Sequence, residues 1–279
     1  MLRTRVITAV ILFAAFFLAL FYLPSLGWLV FVTAVAATAA WEWGGLMQLG
    51  GPARCLLAAG LVGLCALLGF FQPAALGLGE GFPAAAWRLG AWFYLPAAVF
   101  WLVAVPLWLY RRWPLANHPL VGLATGVVLI LPAWLALVQL RQAGPLALLA
   151  IMTVVWLADI GAYFAGRSFG QHKLAPAISP GKTWEGAIGG GVVVLVYGFL
   201  LSSKLPAALA GSSALLLLIL LLLTAISIVG DLFESLLKRQ AGIKDSSNVL
   251  PGHGGVLDRI DSLTSTLPLV ALVWLATRP

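Results

Sequence analysis

Charge is what this sequence has least of. Only 9% of its 279 residues are Asp, Glu, Lys or Arg, against roughly 25% in an ordinary soluble domain. Acid is scarcer still: nine carboxylates stand against sixteen Lys and Arg, for a net charge of +7. Cysteine is nearly absent. Cys55 and Cys65 share one apolar segment, which argues against a disulfide and reads as two buried, inert thiols. No Cys/His set with zinc spacing occurs. No basic soluble module is visible, so the positive charge does not point to nucleic acid. The apolar stretches do not alternate with a period of two, which excludes a transmembrane β-barrel. There is no convincing internal repeat, hence no support for an inverted-repeat transporter.

What is there is hydrophobic length. The chain is 62% hydrophobic, with a mean hydropathy of +1.04. Runs such as Val6–Leu23, Cys55–Phe71 and Ala214–Val229 are long enough to span a bilayer. The expected fold is all-α, a polytopic transmembrane helical bundle forming one integral-membrane domain over 1–279. Nine candidate spans are at about 6–23, 28–47, 55–72, 91–110, 119–139, 145–165, 187–203, 207–230 and 263–277. The soft boundaries near 24–50 and 187–205 leave eight as the alternative. Met1–Leu23 exceeds a signal-peptide core and has no clear cleavage site, so it reads as a retained first helix.

With a cytoplasmic N-terminus, twelve basic residues fall on the cytoplasmic side: Arg3, Arg5, Arg54, Arg111, Arg112, Arg167, Lys173, Lys182, Lys238, Arg239, Lys244 and Arg259. Only Arg88, Arg141, Lys204 and Arg278 fall opposite. The excess favours this orientation. Lacking an organelle-targeting segment, the chain suits a bacterial inner membrane. The helices of 1–140 carry only short turns and the Pro/Gly-rich stretch Gln72–Gly90. The part 145–279 carries two polar cytoplasmic loops, 166–186 and 232–262, and is expected to be the catalytic part.

The acids gather there. Seven of the nine lie between Asp159 and Asp261: Asp159, Glu185, Asp231, Glu234, Asp245, Asp258 and Asp261; Glu42 and Glu80 are scattered earlier. A carboxylate near the bilayer centre costs roughly 2.5–3.5 kcal/mol on insertion scales, so a cluster of them is a site. Asp231 and Glu234 are three apart, and so are Asp258 and Asp261. On helices each pair shares a face. Two such pairs facing each other would make an oxygen-rich site for a hard cation such as Mg²⁺. Lys238, Arg239, Lys244 and Arg259 surround them, and Asp245 is a natural partner for these bases. The Pro251–Gly255 turn lets backbone approach a ligand closely. Carboxylates beside cations suit a Mg²⁺–nucleotide better than a transported ion.

The first loop ends in Gly181-Lys182-Thr183, the tail of a phosphate-binding loop, but Pro176 stands where that motif needs glycine. Ser179-Pro180 and Thr183 can still start a helix whose free N–H groups attract an anion, with Lys182 adding charge. A capped helix with a lysine at headgroup level accounts for the same residues equally well. Gly186, Gly190 and Ala187/Gly191 have the small-xxx-small spacing of closely packed helices.

The second loop, Ser235-x-x-Lys238-Arg239-x4-Lys244-Asp245-x5-Pro251-x-His253-Gly254-Gly255-x-x-Asp258-Arg259-x-Asp261, resembles the signature of phosphatidate cytidylyltransferases, the CDP-diacylglycerol synthases. The Asp159-x-x-Ala-Tyr163…Gly-Arg167…Ser179-Pro-x-Lys182-Thr183-x-Glu185-Gly186 pattern also resembles that family. These motifs cover about the last 125 residues; the first half is similar only as apolar helices. One departure is Gly181, where relatives frequently carry lysine.

The resemblance implies transfer of CMP from CTP to phosphatidate within the lipid bilayer, with Mg²⁺, one or two cations, and a homodimer. It implies a catalytic set of Asp231, Asp258, Lys238, Arg259 and His253, the last either donating to a phosphate or fixing the glycine turn. Asp231 and Asp258 would be the main metal ligands, with Asp261, Glu234 and Asp159 around them. Lys238, Arg239, Lys244 and Arg259 would hold CTP or pyrophosphate; Ser179, Lys182, Thr183, Arg167, Tyr163 and the Gly254-Gly255 backbone complete the substrate site. The alternatives are a polyprenol kinase, an ether-lipid CDP synthase, or an ion or anion transporter.

Overall fold

The computed structural model describes residues 2–79, 81–115, 118–204 and 211–277. Glu80, Arg278 and the start of the 207–230 span lie outside them. The bundle is helical, as the apolar runs require. The helices are α1 (Leu2–Tyr22), α2 (Ser25–Leu46), α3 (Gly51–Phe71), α4 (Arg88–Val99), α5 (Val105–Arg111), α6 (Pro119–Gln142), α7 (Pro145–Phe169), α8 (Trp184–Leu200), α9 (Ser213–Gln240) and α10 (Leu257–Ala276). α4 and α5 form one span joined by a π-helical turn, Phe100–Ala104. The turn lies between Pro96 and Pro106, which remove backbone donors from the helical ladder.

Among the described residues eight of these helical spans are long and apolar enough to cross a membrane; α8 is shorter. Its 17 residues reach roughly 26 Å at 1.5 Å per residue, the lower limit for a span. The nine expected spans are thus all present as helices. The protein is an integral membrane protein.

Two regions pack differently. α2 and α6 are joined by tryptophans whose ring N–H groups donate across the interface: Trp43 to Gly122 O (2.9 Å), Trp134 to Thr33 Oγ1 (2.9 Å) and Trp28 to Leu137 O (3.3 Å). Each large ring fills volume while its one polar atom stays satisfied. By contrast, α7 and α8 approach through glycine. A Cβ on Gly190 would lie 2.6 Å from the Ala158 carbonyl oxygen, so only glycine permits this separation. The small-xxx-small spacing thus serves packing within the chain. α9 and α10 are tied by Ser262 and Ser265, which donate to Ser227 O (3.3 Å) and Ile226 O (2.9 Å). An aromatic cluster of Phe100, Trp101, Trp108 and Phe233 joins the two regions.

Several expectations need correction. Ser179-Pro180 does not start a helix. Residues 170–183 fold as a hairpin, with β1 (Lys173–Ala175) antiparallel to β2 (Ser179–Thr183) and Lys173 opposite Thr183. Proline is tolerated because both strands are edges. Thr183 alone caps α8, its hydroxyl accepting from Gly186 N at 3.1 Å. The second loop is shorter than 232–262, because α9 continues to Gln240. Both cysteines are free, but only Cys65 is buried; Cys55 is exposed.

Several of the basic residues counted together lie at one end of the bundle. Arg5 at the head of α1 lies against Gly252. Gln240 at the end of α9 donates to Arg112 O and Trp113 O beyond α5. Arg141, at the opposite end of the bundle, donates to Leu20 O (3.0 Å) and to Leu23 O.

Candidate active site

The hairpin, the ends of α7 and α9 and the start of α10 enclose a cavity of about 630 Å³. Its polar wall holds Asp159, Arg167, Ser179, Lys182, Thr183, Asp231, Lys238, Asp245, Asp258, Arg259 and Asp261, with Tyr163 beside them. Its apolar wall, Ala158, Ala162, Ala187, Gly190 and Ile228, runs along α7, α8 and α9 into the bundle. A site of this kind can take a charged head and an apolar tail together.

Two lysines organise the carboxylates. Lys182, delivered by β2, pairs with Asp231 of α9 at 2.7 Å, so the hairpin is what closes the cavity over the helix end. Lys238, one turn beyond Glu234 on α9, contacts Glu234 Oε1 at 3.3 Å and Asp258 Oδ1 at 2.6 Å. The other Asp258 oxygen accepts from Ser246 N (2.9 Å), Ser246 Oγ (3.0 Å) and Gly255 N (2.7 Å). Two backbone donors and the Ser246 hydroxyl, which Glu42 shares, surround that oxygen. Gly254 makes this possible. Its φ of +82° suits glycine, and a Cβ there would lie 2.7 Å from Asp258 Oδ2.

Of the four paired acids, Asp231, Asp258 and Asp261 line the cavity and Glu234 does not. Glu234 is buried against Lys238 and faces a smaller cavity behind the site, beside Trp43, Trp101 and Phe233. Among the described residues no three His, Cys, Asp or Glu side chains are grouped closely enough to hold a metal unaided. Asp159, Asp231 and Asp261 nonetheless line one cavity and repel one another. Carboxylate oxygens are the donor type that a hard cation such as magnesium takes, with water and phosphate oxygens completing its shell.

Among the described residues Arg259 forms no ion pair, and Arg167 donates instead to the Tyr163 hydroxyl at 2.9 Å. Among the described residues neither guanidinium is held in a salt bridge that a bound anion would have to displace. Other expected residues lie elsewhere. Arg239 and Lys244 do not line the cavity, and Lys244 is exposed. His253 lies off the cavity with Nδ1 buried and unpaired, and its backbone N–H closes the turn onto Leu250 O. Asp245 lines the cavity but forms no ion pair with the bases, among the described residues. Glu185 does not line the cavity. From the first turn of α8 it pairs with His172 of the hairpin at 2.6 Å, and that hydrogen bond holds its carboxyl at about 2, below the usual carboxylate range.

One residue was missed. Glu42, near the end of α2, is fully buried against the 246–257 segment and accepts four hydrogen bonds from it. The signal was available: a lone acid inside an apolar span is costly unless it has a partner. The partner lies some 200 residues away in sequence, which no local pattern reveals.

Comparison with known proteins places the chain in a family. The Pseudomonas aeruginosa phosphatidate cytidylyltransferase is 42% identical over 293 residues, covering 99% of this chain and 98% of that protein. The Haemophilus influenzae phosphatidate cytidylyltransferase is 36% identical over 96% of each chain. That of Bacillus subtilis is 42% identical over 134 residues, 47% of this chain and 48% of its own. A sequence model of the Cytidylyltransferase family matches residues 3–276. With charged head and apolar groove in one cavity, and with likeness along nearly its whole length, the chain belongs to the cytidylyltransferase family and is a membrane-embedded nucleotidyltransferase.

Proposed function

We propose that this chain transfers CMP from CTP to phosphatidate, giving CDP-diacylglycerol and pyrophosphate, at the cytoplasmic face of a bacterial inner membrane. The observation that carries the reading is the two-sided cavity, in which phosphate-binding cations and carboxylates meet an apolar wall set among membrane helices. The relatives' names supply the substrates, and the excess of basic residues on the site's side supports the cytoplasmic placement.

The chemistry follows from charge. A phosphatidate oxygen attacks the α-phosphorus of CTP. A new P–O bond forms there, and the bond to the α–β bridging oxygen breaks, its electron pair leaving with pyrophosphate. A phosphate monoester has a second pKa near ~6, so the nucleophile is already largely ionised at neutral pH and needs no strong base. The obstacle is bringing two polyanions together.

Arg259 and Arg167 offer uncommitted charge, and Lys182 can share itself between Asp231 and a phosphate. Fixed cations at a site partly sheltered from water stabilise developing negative charge strongly. Asp159, Asp231 and Asp261 would hold Mg²⁺, which neutralises phosphate charge when bound. Lys238, held by Asp258 and Glu234, fixes the wall on which Arg259 stands. Tyr163 orients Arg167, and the apolar wall along α7, α8 and α9 takes the upper acyl chains.

The test uses purified protein in detergent with phosphatidate, Mg²⁺ and labelled CTP. Label from the α position should appear in lipid, and label from the γ position should leave as pyrophosphate. Chelation of Mg²⁺ should stop both. Lipid labelled from the γ position would show a kinase and overturn the reading. So would absence of turnover combined with ion flux in vesicles.

A further inference from the structure

The N-terminal helices reach the cavity wall through one buried carboxylate. α10 begins at Leu257 with Val256 at the cap position, and no side chain of its own segment caps it. A helix start carries N–H groups without internal partners. Here Glu42 of α2 accepts from Val256 N at 2.9 Å and from Leu257 N at 2.6 Å. The same carboxylate accepts from Ser247 Oγ at 2.6 Å and from Ser246 Oγ at 3.1 Å.

The Ser246 hydroxyl also lies 3.0 Å from Asp258 Oδ2. A hydroxyl has one proton, so it serves one of the two carboxylates at a time. Asp258 in turn holds Lys238 at 2.6 Å. A continuous polar chain, Glu42–Ser246–Asp258–Lys238, therefore runs from α2 to the wall of the cavity.

Glu42 is 0% exposed and, among the described residues, has no Lys or Arg within ion-pair distance. A buried carboxylate with only neutral donors is a costly way to cap a helix. A Ser, Thr, Asp or Asn at position 256 would cap it locally. The remote carboxylate does something a local cap does not. It fixes the start of α10 and both serines of the loop to one point on a rigid helix.

We infer that Glu42 is a positioning residue for nucleotidyl transfer, holding the 246–257 segment so that Asp258, Lys238 and Arg259 face the substrate phosphates. The inference rests on the cavity being the transfer site. It gives the N-terminal region a part in the reaction that a membrane scaffold alone would not have.

The test uses the full-length protein and the variants Glu42→Gln and Ser246→Ala. Glu42→Gln keeps shape but turns an amide donor toward backbone donors. It should lower kcat about 100-fold, the scale of a misplacement near 1 Å. Apparent KM for CTP and phosphatidate should stay within about threefold of wild type. Ser246→Ala breaks the bridge and leaves both backbone caps. It should lower kcat about tenfold, the worth of roughly one hydrogen bond, with no change in melting temperature. Amide hydrogen exchange in 246–257 should quicken in Glu42→Gln while α7 and α8 exchange as before.

A merely structural role would lower the melting temperature and leave kcat per folded molecule unchanged. That result, or a loss carried by KM alone, overturns the inference. If Glu42→Gln does not fold, Ser246→Ala decides, since unchanged kcat there breaks the proposed chain. Wild-type protein that transfers no CMP sinks the functional reading instead, and hydrogen exchange then reports whether Glu42 holds the segment.

Discussion

The helices α1–α6 and the helices α7–α10 solve opposite problems with different residues. The first group buries Trp28, Trp43, Trp87, Trp101 and Trp134 almost completely. The second brings its helices together through Gly190, Gly230, Ser262 and Ser265 and keeps an open cavity. Large rings fill space and fix a shape; small residues bring backbones close and leave room beside them. A site for a nucleotide and a lipid needs both, a rigid brace and a hollow against it. Activity should therefore be most sensitive to polar changes in the second group, and stability to volume changes in the first.

The largest effect belongs to the cavity. Asp231→Asn removes the partner of Lys182 and one of the five carboxylates that line the cavity. Transfer should fall about 1,000-fold, the scale of losing a preorganised electrostatic group, with melting in detergent little changed. Near-normal turnover would break the assignment of this cavity as the active site.

Next comes the brace. Trp134→Ala removes a fully buried ring and its hydrogen bond to Thr33. It should cost about 3–5 kcal/mol of stability, read as a lower melting temperature. The kcat of the molecules that remain folded should stay near wild type. A kcat loss as large as that of Asp231→Asn would erase the distinction between the two regions.

How much of this was legible in the sequence follows the same division. The spans were legible because apolar length is a property of each helix by itself. The Asp231/Glu234 and Asp258/Asp261 spacings correctly implied helices, since three residues is local geometry. What the acids do was not legible. Asp258 is surrounded by donors from Ser246 and Gly255, and Glu234 turns behind the site to Lys238; both depend on how the loop folds back. The hairpin was misread because Ser179-Pro180 carries a local helix-start signal, while strand pairing between Lys173 and Thr183 is settled by tertiary contact. Glu42 was dismissed as scattered for the same reason.

A smaller effect probes the glycine contact. Gly190→Ala puts a methyl 2.6 Å from the Ala158 carbonyl oxygen, and α7 and α8 must move apart. Overpacking of this kind costs about 1–3 kcal/mol. Because the same two helices line the cavity, kcat should fall together with melting temperature. That joint loss separates the second group from the first, where Trp134→Ala should affect melting alone. If Gly190→Ala lowered melting with unchanged kcat, the apolar wall would be scaffold rather than part of the site.

The smallest effect lies on the hairpin's outer edge. Glu185 has its carboxyl held at about 2 by the hydrogen bond from His172. A depressed folded value means the contribution is present above the unfolded carboxylate range, near ~4.3, and fades as pH falls through about 2. The pair is exposed, so solvent screens it. His172→Ala should therefore lower the melting temperature only slightly at pH 5, by less the further pH drops below 4.3, and should leave kcat unaltered. A large fall in kcat would tie Glu185 to the reaction, because an exposed pair outside the cavity has no other route to it.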